Sequence, residues 1–573
     1  MKRILTLILV VVMVFGLVAC SKPETSESPS ESATTSESAT QSVEPSATVP
    51  QEITACVGSE PATLDPNMNE SVDGMIYISH LYEGLYRPNS DGSFSLGQAK
   101  DVTITDNADG TAHVVATLRD DIYWSDGVPV TAQDFEYSWK RLCDPATASS
   151  YGYIGQDFFA NSYDVLAGIE AGTMTIDDLC VTAVDDKTLE FDITANVPYV
   201  KDLLAFPSLM PLRQDIVEAN PEGWSVEADT QVSNGRYTLT EFAHESQIVI
   251  TKSDSYWDAA STNVTQVSFM LSDDDNAILA AFKSGDLDLA DTFPADELAA
   301  LRETPEYHQY GQIGLYYLQI QQMDGGLDVL KDVNVRKALS LAIDREYINQ
   351  TVFADSRIPA YSLVPFGIPD ATAGSDFRET AGETVGGDIT TDYDANVAKA
   401  KELLAAAGYP DGEGFPKLEY VINENTGHQA VAEAVQQMWL NNLGIEVEIA
   451  VMDWATVQQY RKTSDCEIAR QGWIGDYTDP ATFFDLFTSG AGTNDGHYNN
   501  PEYDSLVISA RTEQDPVKRM AMYHQAEEII MNDMGIIPIV FYADDVLTQS
   551  YVTGVGVTGT GLKMFWDAQV AEH

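Results

Sequence analysis

Residues 454–480 read WATVQQYRKTSDCEIARQGWIGDYTDP and bring Arg461, Arg470, Trp454, Trp473, Asp476 and Asp479 into one short stretch. The arginines offer planar, permanently charged forks that match carboxylates. The two aspartates fall in a Gly/Tyr/Thr/Pro segment with the composition of a loop. An arginine fork at one end and a carboxylate at the other, with aromatic surface between, suits an extended zwitterion such as a peptide. The same residues also fit a plainer arrangement, a core tryptophan pair with surface salt bridges, because clustered charges are often only structural.

The elements that must position this stretch are clearest from residue 393 onward. A helix over 396–407 is stopped by Gly408 and Pro410, the usual C-terminal signals. A strand over 418–422 leads to a helix over 428–443 with Val431, Val435 and Met438 inward, then Gly444 and an alternating strand over 445–451, IEVEIAV. Strand, helix, strand is a crossover unit, which requires a parallel pair, so this region is α/β. Asp515 before Pro516 opens a helix to about 532, and the run over 536–542, carrying Pro538, reads as an edge or crossover strand. Upstream, a strand over 53–57 precedes a helix over 74–85 and a strand over 112–118. Thr131 and Asp134 then form a capping box for a helix whose Phe135, Trp139 and Leu142 share one face. Strands follow at 237–239 and 247–252, a helix at 275–284, and a helical stripe of Val335, Leu339, Ala342 and Ile343.

Charge and targeting narrow the function. With Lys+Arg 31 against Asp+Glu 89, the net charge is -58, a field that repels nucleic acid and anionic headgroups. Lys2 and Arg3 precede an apolar run over 4–18, too short for the roughly 20 residues of a spanning helix, so residues 1–19 read as an export signal. The following LVAC resembles the bacterial lipobox, which implies that Cys20 is the first mature residue and carries a diacylglyceryl group. Residues 20–51 are a lipidated cysteine and a Ser/Thr/Glu/Pro tether too polar to fold, reaching on the order of 30 Å or more. The rest exceeds one hydrophobic core and predicts two or three units. Cysteines at 20, 56, 143, 180 and 466 form no CxxC pair, which favours buried thiols over a disulfide framework. Gly554, Gly556 and Gly559 satisfy GxGxxG, but the chain ends too soon for a dinucleotide-binding unit. No HExxH, GxSxG or Walker loop is present, so no catalytic residue, metal or cofactor is expected.

The stretches PATLDP, LYEGLYR, YWSDGVPVTAQDFEYSWKRLCDP, SNGRYTLTEF, AFKSGDLDLA, VRKALSLAIDRE and GWIGDYTDPATFFDLF occur in this order. Together they resemble the oligopeptide-binding lipoproteins of ABC importers, from about residue 53 to the end. The resemblance implies an α/β, periplasmic-binding-protein-like hinged clam of three lobes with mixed sheets. Lobe I would comprise residues 52–82, 206–317 and 543–573, an inserted small lobe II 83–205, and lobe III 318–542. Carried over by motif, Asp476 holds the ligand ammonium, and Arg470, Arg461 and His428 receive ligand carboxylates. Trp454 and Trp473 wall side-chain pockets, Glu70 and Val72 face the ligand from the opposite lobe, Asn423 is a polar contact, and Tyr153 an aromatic one. Members from Gram-negative bacteria often carry a disulfide at the position of Ile474; this chain has no cysteine there. The implied protein is a non-enzymatic monomer on the extracytoplasmic face of a bacterial membrane. It captures oligopeptides and hands them to permease subunits, with no nucleic-acid partner. A dipeptide, nickel complex, haem or oligosaccharide is the alternative cargo.

Overall fold

The computed structural model describes residues 49–573 apart from 91, 222, 355, 373, 383–388 and 391. The signal, Cys20 and the tether up to residue 48 lie outside the described residues. Gln51, at the tether's end, is already fastened: its side-chain amide donates to Val570 O at 3.0 Å, and its Oε1 accepts from Val570 N at 3.0 Å.

An 11-stranded mixed sheet forms the spine. One half is built on two parallel pairings, Leu418–Asn423 with Val447–Met452 and with Ile468–Ile474. The other half has Glu52–Cys56 parallel to Gln266–Met270 and to Leu289–Ala290. Two long antiparallel strands, Tyr307–Ile320 and Ile536–Thr548, lie between the halves and belong to both. Their ladder breaks between Gly311 and Leu315. There Ile313 turns away, donating to Gly559 O and accepting from Gly475 N, both at 2.8 Å. The second irregularity, between Tyr316 and Tyr317, faces Val540 and Pro538. The strand expected to be an edge or crossover is therefore central. It tolerates Pro538 because a bulge removes the need for an amide donor there.

The crossover unit forms as read. The helix Thr426–Leu443 buries Val431, Val435 and Trp439 and ends on Gly444 at φ 69, a left-handed position that suits glycine. A separate four-stranded antiparallel sheet, ordered Ala99–Asp106, Ala112–Leu118, Thr188–Ile193, Val181–Asp185, is covered by the helix Ala132–Cys143. The Thr131/Asp134 capping box is present, and Trp139 donates its indole N–H to Leu209 O at 2.7 Å. Alternation delivers Ala112, Val114, Ala116 and Leu118 to that core.

The helix expected over 74–85 instead spans Val72–Leu81, with Ser71 as its cap. The backbone leaves the helical path at Tyr82, which is extended at φ -124 and ψ 160, and a Cβ at Gly84 would crowd Leu204 O. The glycine triplet near the C-terminus makes turns and two-residue strands. Cys56, Cys143 and Cys466 are buried thiols and Cys180 is half-buried; none of the four is bridged. Among the described residues no helix is long and apolar enough to cross a membrane.

Candidate functional site

The strand Ile468–Ile474 carries the site. Its direction continues through Gly475 by the bond to Ile313 O, so Asp476 emerges just past the break in the central ladder. Thr482 fixes the turn, its Oγ1 accepting from Asp476 N at 3.1 Å and from the Trp473 indole N–H at 3.2 Å. The Asp476 carboxylate accepts from Tyr153 Oη at 2.8 Å and from Tyr151 Oη at 3.3 Å. No cation lies within ion-pair distance of it among the described residues. Burial pushes its pKa up to about 7, against the two tyrosine hydroxyls, which lower it. Asp479, three residues on, is different: it is buried in a two-armed pair with Arg519, both arms 2.7 Å, and belongs to the scaffold.

Asp476 opens onto a partly open cavity whose other walls include Glu70, Val72, Met75, Tyr151 and Phe206. Glu70 and Val72 arrive there because the Ser71-capped helix begins at this wall. The structure thus unites Asp476, Tyr153, Glu70 and Val72, drawn from separate parts of the chain. Tyr151 was missed by sequence reasoning, although its position two residues before Tyr153 was a signal.

Along the same strand, Arg470 and Gly472 share a side by the two-residue period. A Cβ on Gly472 would overlap the Tyr542 hydroxyl; the bare glycine lets that ring lie over the strand. Arg470 Nη2 donates to the same hydroxyl at 3.4 Å. The guanidinium sits 5.4 Å from the Tyr316 ring centre and 6.0 Å from that of Trp454. Its Nε has no hydrogen-bond partner, and no carboxylate pairs with it among the described residues. Burial disfavours its charge, but Tyr542, Tyr316 and Tyr420 outweigh that and raise its pKa, so Arg470 stays a cation.

His428 lies 5.5 Å from the Tyr316 ring, and burial together with Arg470 pushes its pKa well below the ordinary value. It is a neutral hydrogen-bonding group at pH 7. Asn423 ends the Leu418–Asn423 strand with a buried Oδ1 that has no partner. Arg461 is already matched, its Nε 2.8 Å from Asp495 Oδ2 and its Nη1 donating to Gln471 Oε1 at 2.6 Å. Trp454 is exposed and faces both arginines, Arg461 at 5.6 Å and Arg470 at 6.0 Å. Trp473 falls on the alternate side of the strand from Arg470 and shares Thr482 with Asp476. Tyr316, Tyr420, Tyr542 and Asp495 carried no local sequence signal of a role here.

A guanidinium without a carboxylate and a carboxylate without a cation thus lie six residues apart along one segment of the chain. At about 3.3 Å per residue that is roughly 20 Å between their backbones, the scale of a short extended chain with charged ends.

The profile described as bacterial extracellular solute-binding proteins, family 5 Middle, matches residues 99–495. The oligopeptide-binding protein OppA of Bacillus subtilis is 34% identical over 524 residues, 89% of this chain and 91% of that one. The periplasmic murein peptide-binding protein MppA of Escherichia coli is 33% identical, covering 89% and 92%. The solved structure of E. coli MppA superimposes with a TM-score of 0.80 at 31% identity, covering 91% of this chain and 99% of that one. A structure of MppA in its unliganded open form, also 31% identical and covering 91% and 98%, gives 0.66.

Proposed function

The chain belongs to the bacterial extracellular solute-binding proteins of family 5, peptide binders of ABC importers and not enzymes, and on that premise we propose that its cargo is an oligopeptide held by its two charged ends. The observation that carries this reading is a pair of charges that lack an oppositely charged partner among the described residues, Arg470 on the strand and Asp476 just past its end. A zwitterion supplies both missing partners, whereas a sugar or metal complex has no ammonium for Asp476. The peptide main chain adds to the cleft as an extended strand, and roomy pockets accept its side chains. Lobes at 52–82, 206–317 and 543–573, at 83–205 and at 318–542 close over it. The separate four-stranded sheet within 83–205 supports that division. The lipobox-like LVAC followed by a polar tether supports anchoring through Cys20; Cys20→Ala is expected to release folded, peptide-binding protein into the medium, and an unmodified Cys20 in the wild type would overturn that part.

Calorimetry on a double cycle tests the cargo. A charge-assisted hydrogen bond contributes about 1.5–3 kcal/mol, so Asp476→Ala is expected to weaken a free-amino peptide at least tenfold, since about 1.4 kcal/mol is a decade. N-acetylating the peptide removes the same interaction from the other side, so the mutant then loses little further affinity. A coupling below about 0.5 kcal/mol, within ordinary additivity error, would show that Asp476 does not hold an amino terminus.

A further inference from the structure

Around Asp476, residues 83–205 meet residues 318–542 through carboxylates on both sides. Thr478 N donates across the seam to Asp202 at 3.3 Å. Arg511 reaches across to Asp157 at 3.3 Å while holding Asp485 on its own side at 2.9 Å. Tyr151 and Tyr153 donate to Asp476, and Tyr199 stacks on Tyr477. Arg519 lies 5.7 Å from the Tyr199 ring but is held by Asp479. On the 318–542 side, Asp476, Asp479 and Asp485 against Arg511 and Arg519 leave one net negative charge; the other side brings Asp157 and Asp202, with no cation in these contacts. Lys201, beside Asp202, lies instead over the Tyr86 ring at 5.9 Å, and Glu70 adds a further negative charge near Tyr151. The tyrosines give no relief: burial keeps Tyr151, Tyr153, Tyr199 and Tyr477 neutral, and Tyr163, Tyr503 and Tyr523 beside Asp485 likewise. Like charge therefore meets like charge wherever the two sides touch.

We propose that this seam is a proton-operated latch: protons taken up by Asp202, Asp485 and Asp476 let the ligand-free cleft close, and the charge of these groups at neutral pH opposes closure until a cation enters. Burial in the seam pushes the Asp202 carboxyl up to about 6. Asp485 is also pushed up to about 6 by burial, against Arg511, which lowers it, and with Asp157 and Asp479, which raise it. Asp476 stands at about 7. Opening the seam returns all three to water, where an aspartate titrates near 4, so the closed form binds protons that the open form sheds. A group raised on closing favours the closed form fully below its open-state value, and that preference fades as the pH rises through its closed-state value. The window is therefore about pH 4 to 7, and Asp202 and Asp485 each favour closure by roughly tenfold at pH 5 relative to pH 8. The proton-linked step needs no particular cargo. Its replacement by a ligand cation rests on the reading of Asp476 as the seat of the peptide ammonium.

Small-angle scattering of the ligand-free protein between pH 5 and pH 8 tests the latch, because hinge closure changes the radius of gyration. The wild-type radius is expected to rise with pH. Asp202→Asn keeps an oxygen for Thr478 N and removes the charge, so this variant is expected to be more compact than the wild type at pH 8. Asp202→Asn combined with Asp485→Asn is expected to be more compact still. A wild-type radius that is flat across the range, or one that rises equally in the wild type and in Asp202→Asn, overturns the latch and leaves peptide capture standing. A tetrapeptide with a free amino group, added at pH 7.5, is expected to compact the wild type, and its N-acetylated form to do so less. If the ligand-free transition appears but the two peptides act alike, the proton latch stands and the reading of Asp476 as the ammonium's seat falls.

Discussion

Asp476 is costly to leave as it is, and the cost has measurable consequences. A carboxyl whose folded pKa is raised adds stability that is fully present below its unfolded value near 4 and is lost as the pH rises through about 7. The ligand-free protein is therefore expected to lose stability from this group between pH 4 and pH 7, up to a few kcal/mol at about 1.4 per unit. Asp476→Asn removes that limb, which denaturation at several pH values reads directly. Binding follows the opposite course at acid pH. The empty site must shed a proton before it accepts an ammonium, so affinity falls by up to about tenfold per unit below pH 7. It also declines above about pH 8, where the peptide's own amine deprotonates. Calorimetry in buffers of different ionisation enthalpy checks the proton release. The two arginines are expected to separate cleanly. Arg470→Ala weakens peptides with a free carboxylate more than their amides and costs less stability than the change at Arg461, since it strands the Tyr542 hydroxyl but no charged partner. Arg461→Ala strands the buried Asp495 and costs about 3–5 kcal/mol of stability, visible as a shifted urea midpoint.

The strand Ile468–Ile474 works as an element because it combines charge, aromatic surface and a gap. Gly472 and, one strand over, Gly314 both lie under the Tyr542 ring, and a Cβ at either would collide with it. The ring's seat in turn sets where its hydroxyl meets Arg470. Gly472→Ala is expected to displace Tyr542, cost about 1–3 kcal/mol by overpacking and lower peptide affinity through the disturbed guanidinium. Removing the hydroxyl relieves the clash, so Gly472→Ala with Tyr542→Phe should lose less than the sum of the single changes. Strict additivity in urea denaturation would show that the glycine is not there for the ring. The same logic explains Pro538: a bulge opposite Tyr316 and Tyr317 admits an imino acid to a central strand, whereas the residue type by itself argued for an edge.

Over the whole molecule, contacts join residues 83–205 to residues 318–542 around Asp476. Tyr199 stacks on Tyr477 at 4.3 Å with the rings 3° from parallel. Thr478 N donates to Asp202 at 3.3 Å, and Arg511 lies between Asp157 at 3.3 Å and Asp485 at 2.9 Å. Tyr199→Ala and Arg511→Ala are expected to enlarge the radius of gyration of the ligand-free protein in small-angle scattering, with saturating peptide restoring the wild-type value. Ligand-free variants with the wild-type radius would mean that these contacts do not hold the cleft shut.

Local chemistry was legible before any fold was known. The Thr131/Asp134 capping box, the glycine stop at 444, the alternation over 112–118 and the GDYTDP stretch are encoded within a few residues, because caps, turns and strand period depend only on near neighbours. The same holds for the α/β crossover at 418–452. What tertiary structure alone decided is which charges are spent. Asp479 is consumed by Arg519, 40 residues away, and Arg461 by Asp495, while Asp476 meets Tyr151 and Tyr153 from more than 300 residues upstream. A residue's type states that it can pair, not with what. Partners brought together by sheet order leave no periodic trace in the chain, so the availability of Asp476 and Arg470 for a ligand is a property of the fold.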